Sequence, residues 1–411
     1  MMRKFTLLLA LGVLACSGLK AQSAGCTYDE KTGQWIAPNG QPCVNTLITS
    51  VPFLRIVPDA RSGAMGDAGV AISPDANAMH FNASKLAFAK ENIGVSATYS
   101  PWLRSLGLTD VYLAYLTGYK KLDEFQALGV GLRYFSLGQI DYRDDQGNDQ
   151  GFGKPSEFEV SVAYARKLSE KFAAALTGKF IYSNLAAGEQ VDGVDITAGT
   201  AGAVDLSMTY EDELNLGALP ATLRVGLAIT NVGSKISYTR NQYRDFLPAN
   251  LGLGGALDMQ LDDYNSLTFT FDLNKLLVPT PLHDTDPDYD ANMNDIPDHR
   301  EKSLFSGIFG SFSDAPSKGE EWKELAFCVG AEYWYNQIFA VRAGYYYENP
   351  IKGNRQYLTA GLGLRYNIFG LNVSYLIPTN NQRSPLDNTL RFSLLFHFDK
   401  PKADAAPADN G

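Results

Sequence analysis

The chain has 411 residues, a formal net charge of -10 and a pI near 5.0. Beyond the first few residues it carries no lysine or arginine cluster, and a phosphate-binding surface needs local positive charge, so a nucleic-acid partner is excluded. The 38 glycines, 22 tyrosines and only 19% charged residues suit a membrane barrel with aromatic girdles, and equally a secreted β-sandwich, so composition leaves these two classes open.

Arg3 and Lys4 precede an apolar run from Phe5 to Cys16, and Leu19-Lys20-Ala21 offers a cleavage site, so residues 1–21 read as a signal peptide with Gln22 as mature N-terminus. A lipid anchor on Cys16 is the weaker reading, because Val13-Leu14-Ala15 is a poor leucine-small-small run. Nothing later approaches the roughly 18 apolar residues of a membrane helix, so any span must be built of strands. Residues 22–51 form an N-terminal extension. Cys16 leaves with the signal peptide and Cys328 lies in an apolar strand, so Cys26 and Cys43 remain as candidates for a disulfide in an oxidising compartment. Residues 52–90 show no sustained alternation; residues 59–69 and Ser73-Pro74-Asp75-Ala76 read as short helical turns broken by glycines. Such a segment either hangs in the periplasm or folds into a barrel as a hatch.

From residue 91 to 398, runs of about ten residues alternate with period two. The strongest are 126–137, 158–166, 172–183, 221–231, 325–335, 356–366 and 389–398. In the first, Leu128, Val130, Leu132 and Tyr134 make an apolar face opposite Ala127, Gly129, Gly131 and Arg133. Weaker runs at 93–100, 110–119, 199–208, 251–259, 266–273, 339–347 and 369–375 bring the count to about 14, an even number as single-chain bacterial barrels require. A sandwich has shorter strands and a more charged outer face. The chain therefore reads as all-β: a single transmembrane outer-membrane β-barrel of about 14 antiparallel strands with an N-terminal hatch-like segment. Long polar connections, which face outward, alternate with short turns, which face the periplasm. Residues 279–321 form a long acidic extracellular insertion and residues 399–411 a disordered tail.

Arg133, Lys179, Arg224, Arg342, Arg365 and Arg391 share the inner face with Glu159, Asp205, Asp258 and Glu332, which predicts interior ion pairs in preference to a solute-selecting constriction. Tyr99, Trp102, Tyr119, Tyr182, Tyr333, Trp334, Tyr335, Tyr345, Tyr346 and Tyr347 lie at strand ends and read as interfacial anchors. Asp284, Asp286, Asp288 and Asp290 resemble the start of a calcium loop, but the turn glycine and closing glutamate are absent, so a solvated acidic loop is the better reading and no metal site or cofactor is assigned. Ser393 and His397 are about 13 Å apart along one strand, too far for a nucleophile and its base, and no catalytic motif is present, so the chain does not read as an enzyme. Phe246, Leu247, Leu277, Val278 and residues 304–312 are apolar loop residues expected to be exposed for protein contact.

Phe53-Leu54-x-Ile56-x-Pro58-Asp59-Ala60-Arg61-x-Gly63-x-Met65-Gly66-Asp67-Ala68-Gly69-Val70-Ala71, followed by Ser73-Pro74-Asp75-Ala76 and Asn82-Ala83-Ser84-Lys85-Leu86-Ala87-Phe88, resembles the PorV family. These are outer-membrane proteins of the Bacteroidetes type IX secretion system within the FadL-like barrel superfamily. One departure is Asn82-Ala83-Ser84, where such barrels often carry Asn-Pro-Ala. The resemblance implies a shuttle or adaptor that binds C-terminal signal domains of secreted cargo emerging from the SprA/Sov translocon. It would deliver them to the attachment complex containing the PorU sortase, at an outer-membrane surface of lipid and lipopolysaccharide. It also implies a hatch at residues 52–82, with Arg61, Met65, Asp67 and Asn82 among its residues. Cargo contact is expected at residues 238–248 and 304–312, with Tyr238, Tyr243, Phe246, Leu247, Leu304, Phe305, Ile308 and Phe309 as the residues chosen. The competing readings are a FadL-like transporter of hydrophobic solutes and, further off, a lipopolysaccharide deacylase.

Overall fold

The computed structural model describes residues 27–29, 34–36, 46–104, 107–143, 149–186, 190–191, 194–239, 244–281, 290–294, 296–315, 321–380 and 389–398. Cys26, Cys43, Tyr243, Asp284, Asp286, Asp288 and the tail after Phe398 lie outside them.

Fourteen strands close into one antiparallel barrel. In chain order they are β1 (Ile93–Pro101), β2 (Val111–Lys121), β3 (Gln126–Leu137), β4 (Ser156–Lys167), β5 (Phe172–Asn184), β6 (Gly199–Leu216) and β7 (Leu219–Gly233). They continue with β8 (Asn250–Gln260), β9 (Asn265–Leu276), β10 (Leu325–Tyr335), β11 (Phe339–Tyr347), β12 (Gln356–Tyr366), β13 (Phe369–Pro378) and β14 (Leu390–Phe398). Each pairs with its sequence neighbours, and β14 closes on β1 with Phe398 opposite Ile93 and Phe392 opposite Tyr99. Closure leaves no unpaired edge, the condition for a sheet to sit in lipid.

Alternation decides what faces outward. Leu128, Val130, Leu132 and Tyr134 of β3 are exposed, whereas Ala127 and Arg133 are buried. Among the described residues no helix is long and apolar enough to span a membrane, so the spanning elements are these strands. The same parity corrects four of the expected anchors. Trp334, between outward-facing Tyr333 and Tyr335, faces the lumen beneath the Arg342 guanidinium. Tyr346 sits between outward-facing Tyr345 and Tyr347 and therefore points inward, where it stacks on Tyr357 at 4.8 Å. Trp102 and Tyr119 are buried too: Trp102 packs edge-on against Phe135 and Tyr119 lies beside Ala76 and Leu86.

The expected run at 199–208 is the beginning of a strand of 18 residues. Apolar alternation fails after Tyr210 because the β6–β7 ribbon extends beyond the apolar band, and there Glu211 pairs with Arg224. Short turns join β2 to β3, β4 to β5, β6 to β7, β8 to β9, β10 to β11 and β12 to β13 at one end. The β10–β11 turn has left-handed φ at both Asn336 and Gln337, matching the twist of a tight hairpin. All long connections lie at the other end, which faces outward in barrels of this kind.

Residues 52–89 run inside the barrel. They form a 3₁₀ turn (Pro52–Arg55), α1 (Ala60–Gly63), α2 (Ala78–Phe81) and a second 3₁₀ turn (Ala83–Phe88). Each is too short to hold itself together, so the wall must supply the missing contacts. Small residues on the wall admit it: a Cβ on Gly344 would stand 2.1 Å from the Gly66 nitrogen, and one on Gly330 would stand 2.5 Å from the Met65 Cβ. Replacing Gly344 with valine is therefore expected to lower the temperature at which the barrel loses its compact mobility in SDS gels, by the equivalent of about 1–3 kcal/mol of overpacking. Gly178→Ala, where a Cβ meets nothing within 4 Å, should leave it unchanged.

Candidate functional site

Three polar clusters fix the inner segment to the wall. Near the short-turn end Arg61 makes a two-pronged contact with Glu332, 3.0 Å from Nε and 2.8 Å from an Nη, and also reaches Asp75 at 3.2 Å. Arg342 holds the same carboxylate at 2.6 Å and donates to Asn372 at 2.9 Å. On the opposite wall Lys179 lies 2.8 Å from Asp205 and 3.8 Å from Glu159, which is 3.6 Å from Arg133. Arg133 in turn donates to the Leu54 carbonyl at 3.1 Å and meets the His80 ring at 2.6 Å. Between them Asp272 accepts from the Gly69 and Val70 amides at 2.6 and 2.8 Å.

Asn82 ties a return of the segment to β6. Its amide donates to the Val70 carbonyl, the Met208 carbonyl and the Thr209 hydroxyl, while its carbonyl oxygen caps the following 3₁₀ turn through the Ser84 amide at 3.1 Å. An alanine at position 83, where related barrels often have proline, therefore leaves a capped turn in place. Met65 is fully buried, and Asp67 accepts from Tyr357 with Arg391 3.7 Å away. The expected interior pairs thus form, and the segment contributes Arg61, Asp67 and Asp75 to them; Arg224 meets Asp258, and Arg365 approaches Glu91 at 3.8 Å.

The segment divides the lumen. A cavity of about 120 Å³ remains on the long-loop side, lined by Leu54, His80, Asp272, Tyr346 and Glu348 among others. A larger vestibule of about 720 Å³ opens at the short-turn end beside Arg61, Asp75, Arg224, Glu332 and His397. Ser393 and His397 have separate duties. The Ser393 hydroxyl accepts from the Ala60 amide at 2.9 Å and bonds Thr98 at 2.6 Å, whereas the His397 ring lies 3.2 Å from Arg365.

At the outer mouth a second set of charges braces the loops. Lys275 bonds Glu324 at 2.7 Å and Glu321 at 2.9 Å, Lys352 lies 3.1 Å from Glu324, and Thr280 donates to Glu324 at 2.6 Å. Arg355 and Arg55 share Glu348. Burial pushes the Glu348 carboxyl up, but the two guanidiniums outweigh it and hold it below the usual range. Sequence reading missed this brace, because most of its members sit in loops without periodicity; Lys275, a lysine closing an apolar strand, was the one visible hint.

The brace carries two helices of the acidic insertion, α3 (Asp298–Glu301) and α4 (Leu304–Gly310). Ser303 caps α4 through the Ser306 amide at 3.3 Å, and Ile308 packs on Ala249 and Leu277 with Leu304 at the edge. One turn apart on the adjoining face, Phe305 and Phe309 are 65% and 73% exposed, and Phe312 just beyond is also exposed. Phe246, Leu247, Leu277 and Val278 differ from expectation: all four are buried, the first two and Val278 because residues 47–54 return across the mouth, and Leu277 because Ala249 and Ile308 of α4 cover it. Tyr238 is half-buried and donates to Ser183 at 2.9 Å. Of the residues chosen for cargo contact, only Phe305 and Phe309 present large apolar surface among the described residues.

The family model for the type IX secretion system protein PorV matches residues 39–283, more than half of the chain. The chain belongs to the PorV family. No curated protein matches. Among solved structures, the Ralstonia pickettii toluene transporter TbuX is 13% identical, with TM-score 0.45 over 83% of this chain and 98% of that one. The Pseudomonas putida toluene transporter TodX is 12% identical, with TM-score 0.46 over 84% and 99%. A Pseudomonas aeruginosa FadL homologue is 10% identical, with TM-score 0.41 over 86% and 99%.

Family membership and the closed 14-stranded wall make this an outer-membrane barrel protein of type IX secretion. Glu332 is the buried carboxylate on which Arg61 and Arg342 converge. Glu332→Gln would leave the buried Arg342 guanidinium without its counter-charge and Arg61 with Asp75 alone, at a cost of about 3–5 kcal/mol. The expected outcome is a lower unfolding temperature in detergent together with new ion conductance in planar bilayers as the inner segment loosens; unchanged values of both would show that the pair does not secure it.

Proposed function

We propose that this PorV-family barrel is a non-enzymatic docking protein. It binds folded C-terminal signal domains of cargo emerging from the SprA/Sov translocon and passes them to the attachment complex containing PorU. The observation that carries this reading is the filled lumen: residues 52–89 occupy it and are held by buried ion pairs, so the work of the molecule falls to its outer face. The braced mouth supports the same reading, since a rigid platform loses little side-chain and loop entropy when a partner docks. On that platform α4 offers Phe305 and Phe309 at one helical turn's spacing, the kind of aromatic pair that anchors protein interfaces. Asp272, Glu348, Lys352 and Arg355 among the lining of the outer cavity favour this reading over carriage of an apolar solute.

Native purification in mild detergent followed by mass spectrometry tests the proposal. Recovery of a giant translocon subunit, or of secreted proteins ending in a β-rich C-terminal domain, supports it. Recovery of the barrel alone with fatty acid or another apolar solute overturns it in favour of transport. Replacing Phe305 and Phe309 together with alanine is expected to weaken recovered partner binding by roughly tenfold or more while leaving barrel stability unchanged, because both rings are exposed in the isolated protein.

A further inference from the structure

The inner segment does more than fill the lumen: it crosses it. Its beginning lies among the long loops. The Ser50 amide donates to the Phe246 carbonyl at 3.0 Å, and Val51, Phe53 and Leu54 pack with Trp102, Phe135, Ile181 and Leu247 around the outer mouth. Its end lies at the short turns. Lys121 donates to the Ala89 carbonyl at 2.9 Å, Lys167 sits 4.8 Å from the Phe88 ring centre, and the Asn92 amide donates to the carbonyl of Phe398. Between these ends the chain descends to Glu332 through Arg61, climbs to Tyr357 through Asp67, and returns to the short-turn side at Asp75 beside Arg61. It rises once more to Arg133 through His80 before leaving past Phe88.

A chain that enters a closed ring at one mouth and leaves at the other puts its two flanks on opposite sides of the membrane. The downstream flank becomes β1 at the periplasmic rim. We infer that Thr46–Ser50, where the chain enters the barrel, lies at the cell exterior, so that the flank upstream of it starts from the outer side of the membrane. Between Gln22 and Thr46 that flank contains a single lysine, Lys31, and no arginine. No return path exists for it, because the lumen is occupied and the outer wall of the barrel faces lipid. The inference rests on the outward orientation of the long loops but not on the identity of any partner.

An epitope tag inserted after Ser23 of the full-length protein reports the side directly. Two further tagged versions fix the orientation: one in the acidic insertion beside Met293, one in the β8–β9 turn beside Asp263. Antibody binding to intact cells is expected for the Ser23 and Met293 tags and, only after outer-membrane permeabilisation, for the Asp263 tag. If the Met293 tag is reached on intact cells while the Ser23 tag needs permeabilisation, the crossing is wrong. If the Met293 and Asp263 tags exchange behaviour, the orientation on which the inference rests is wrong. Trypsin on intact cells expressing the untagged protein gives an independent reading: cleavage after Lys31, abolished by Lys31→Gln, is expected, whereas cleavage that appears only after permeabilisation overturns it. Neither readout depends on cargo, so failure here is separable from failure of the docking role.

Discussion

Buried charge is the constraint around which the molecule is organised. Arg61, Arg133, Arg342 and Arg391 are nearly or fully out of solvent, and the wall that surrounds them is itself surrounded by lipid. None of these guanidiniums can be left alone at tolerable cost, and a single ring of strands supplies too few partners in the right places. The inner segment completes the set. Arg61 gives Glu332 its second counter-charge, Asp67 approaches Arg391, and the carbonyls of Phe53 and Leu54 accept from Arg133. Wall and filling are therefore one cooperative unit, and neither can be optimised without the other.

How far the sequence revealed this follows from where periodicity operates. Two-residue alternation runs through the spanning part of every strand, so the 14 strands, their inward charges and the short turns near 167–171, 260–265 and 336–337 were legible from it. Parity was misread for aromatic residues near strand ends: Tyr345, Tyr346 and Tyr347 look alike as a list, and the register of β11 against β12 sends the middle one inward. The end of β6 was missed for a related reason, since Glu211 and Asp212 look like a loop until β7 is set opposite them. Loop burial was least legible. Nothing local to Phe246 and Leu247 says that residues nearly 200 positions earlier will cover them; that contact is set by the path of the inner segment.

The outer rim shows how a loop-rich face becomes a defined surface. Glu324 receives Lys275 from β9, Lys352 from the β11–β12 connection and Thr280 from the insertion itself, so a strand and two connections share one buried carboxylate. The rings of Phe305 and Phe309 are held out by this arrangement, because Ile308, on the adjoining face of the same helix, is committed to Ala249 and Leu277. The exposed aromatic pair is consequently a property of a fixed scaffold and not of a wandering loop.

The crossing of the lumen also governs the order in which the molecule can be assembled. β1 and β14 are joined last in any closed ring, and β14 is the last strand to be synthesised, whereas the segment they enclose is among the first parts made. Once the seam has zipped, the segment resembles a cord through a ring, removable only lengthwise. The early residues must therefore be laid across a still-open sheet and held there until the final strand arrives, so the machinery that inserts this barrel has to accommodate a strand-lined trough already carrying its contents.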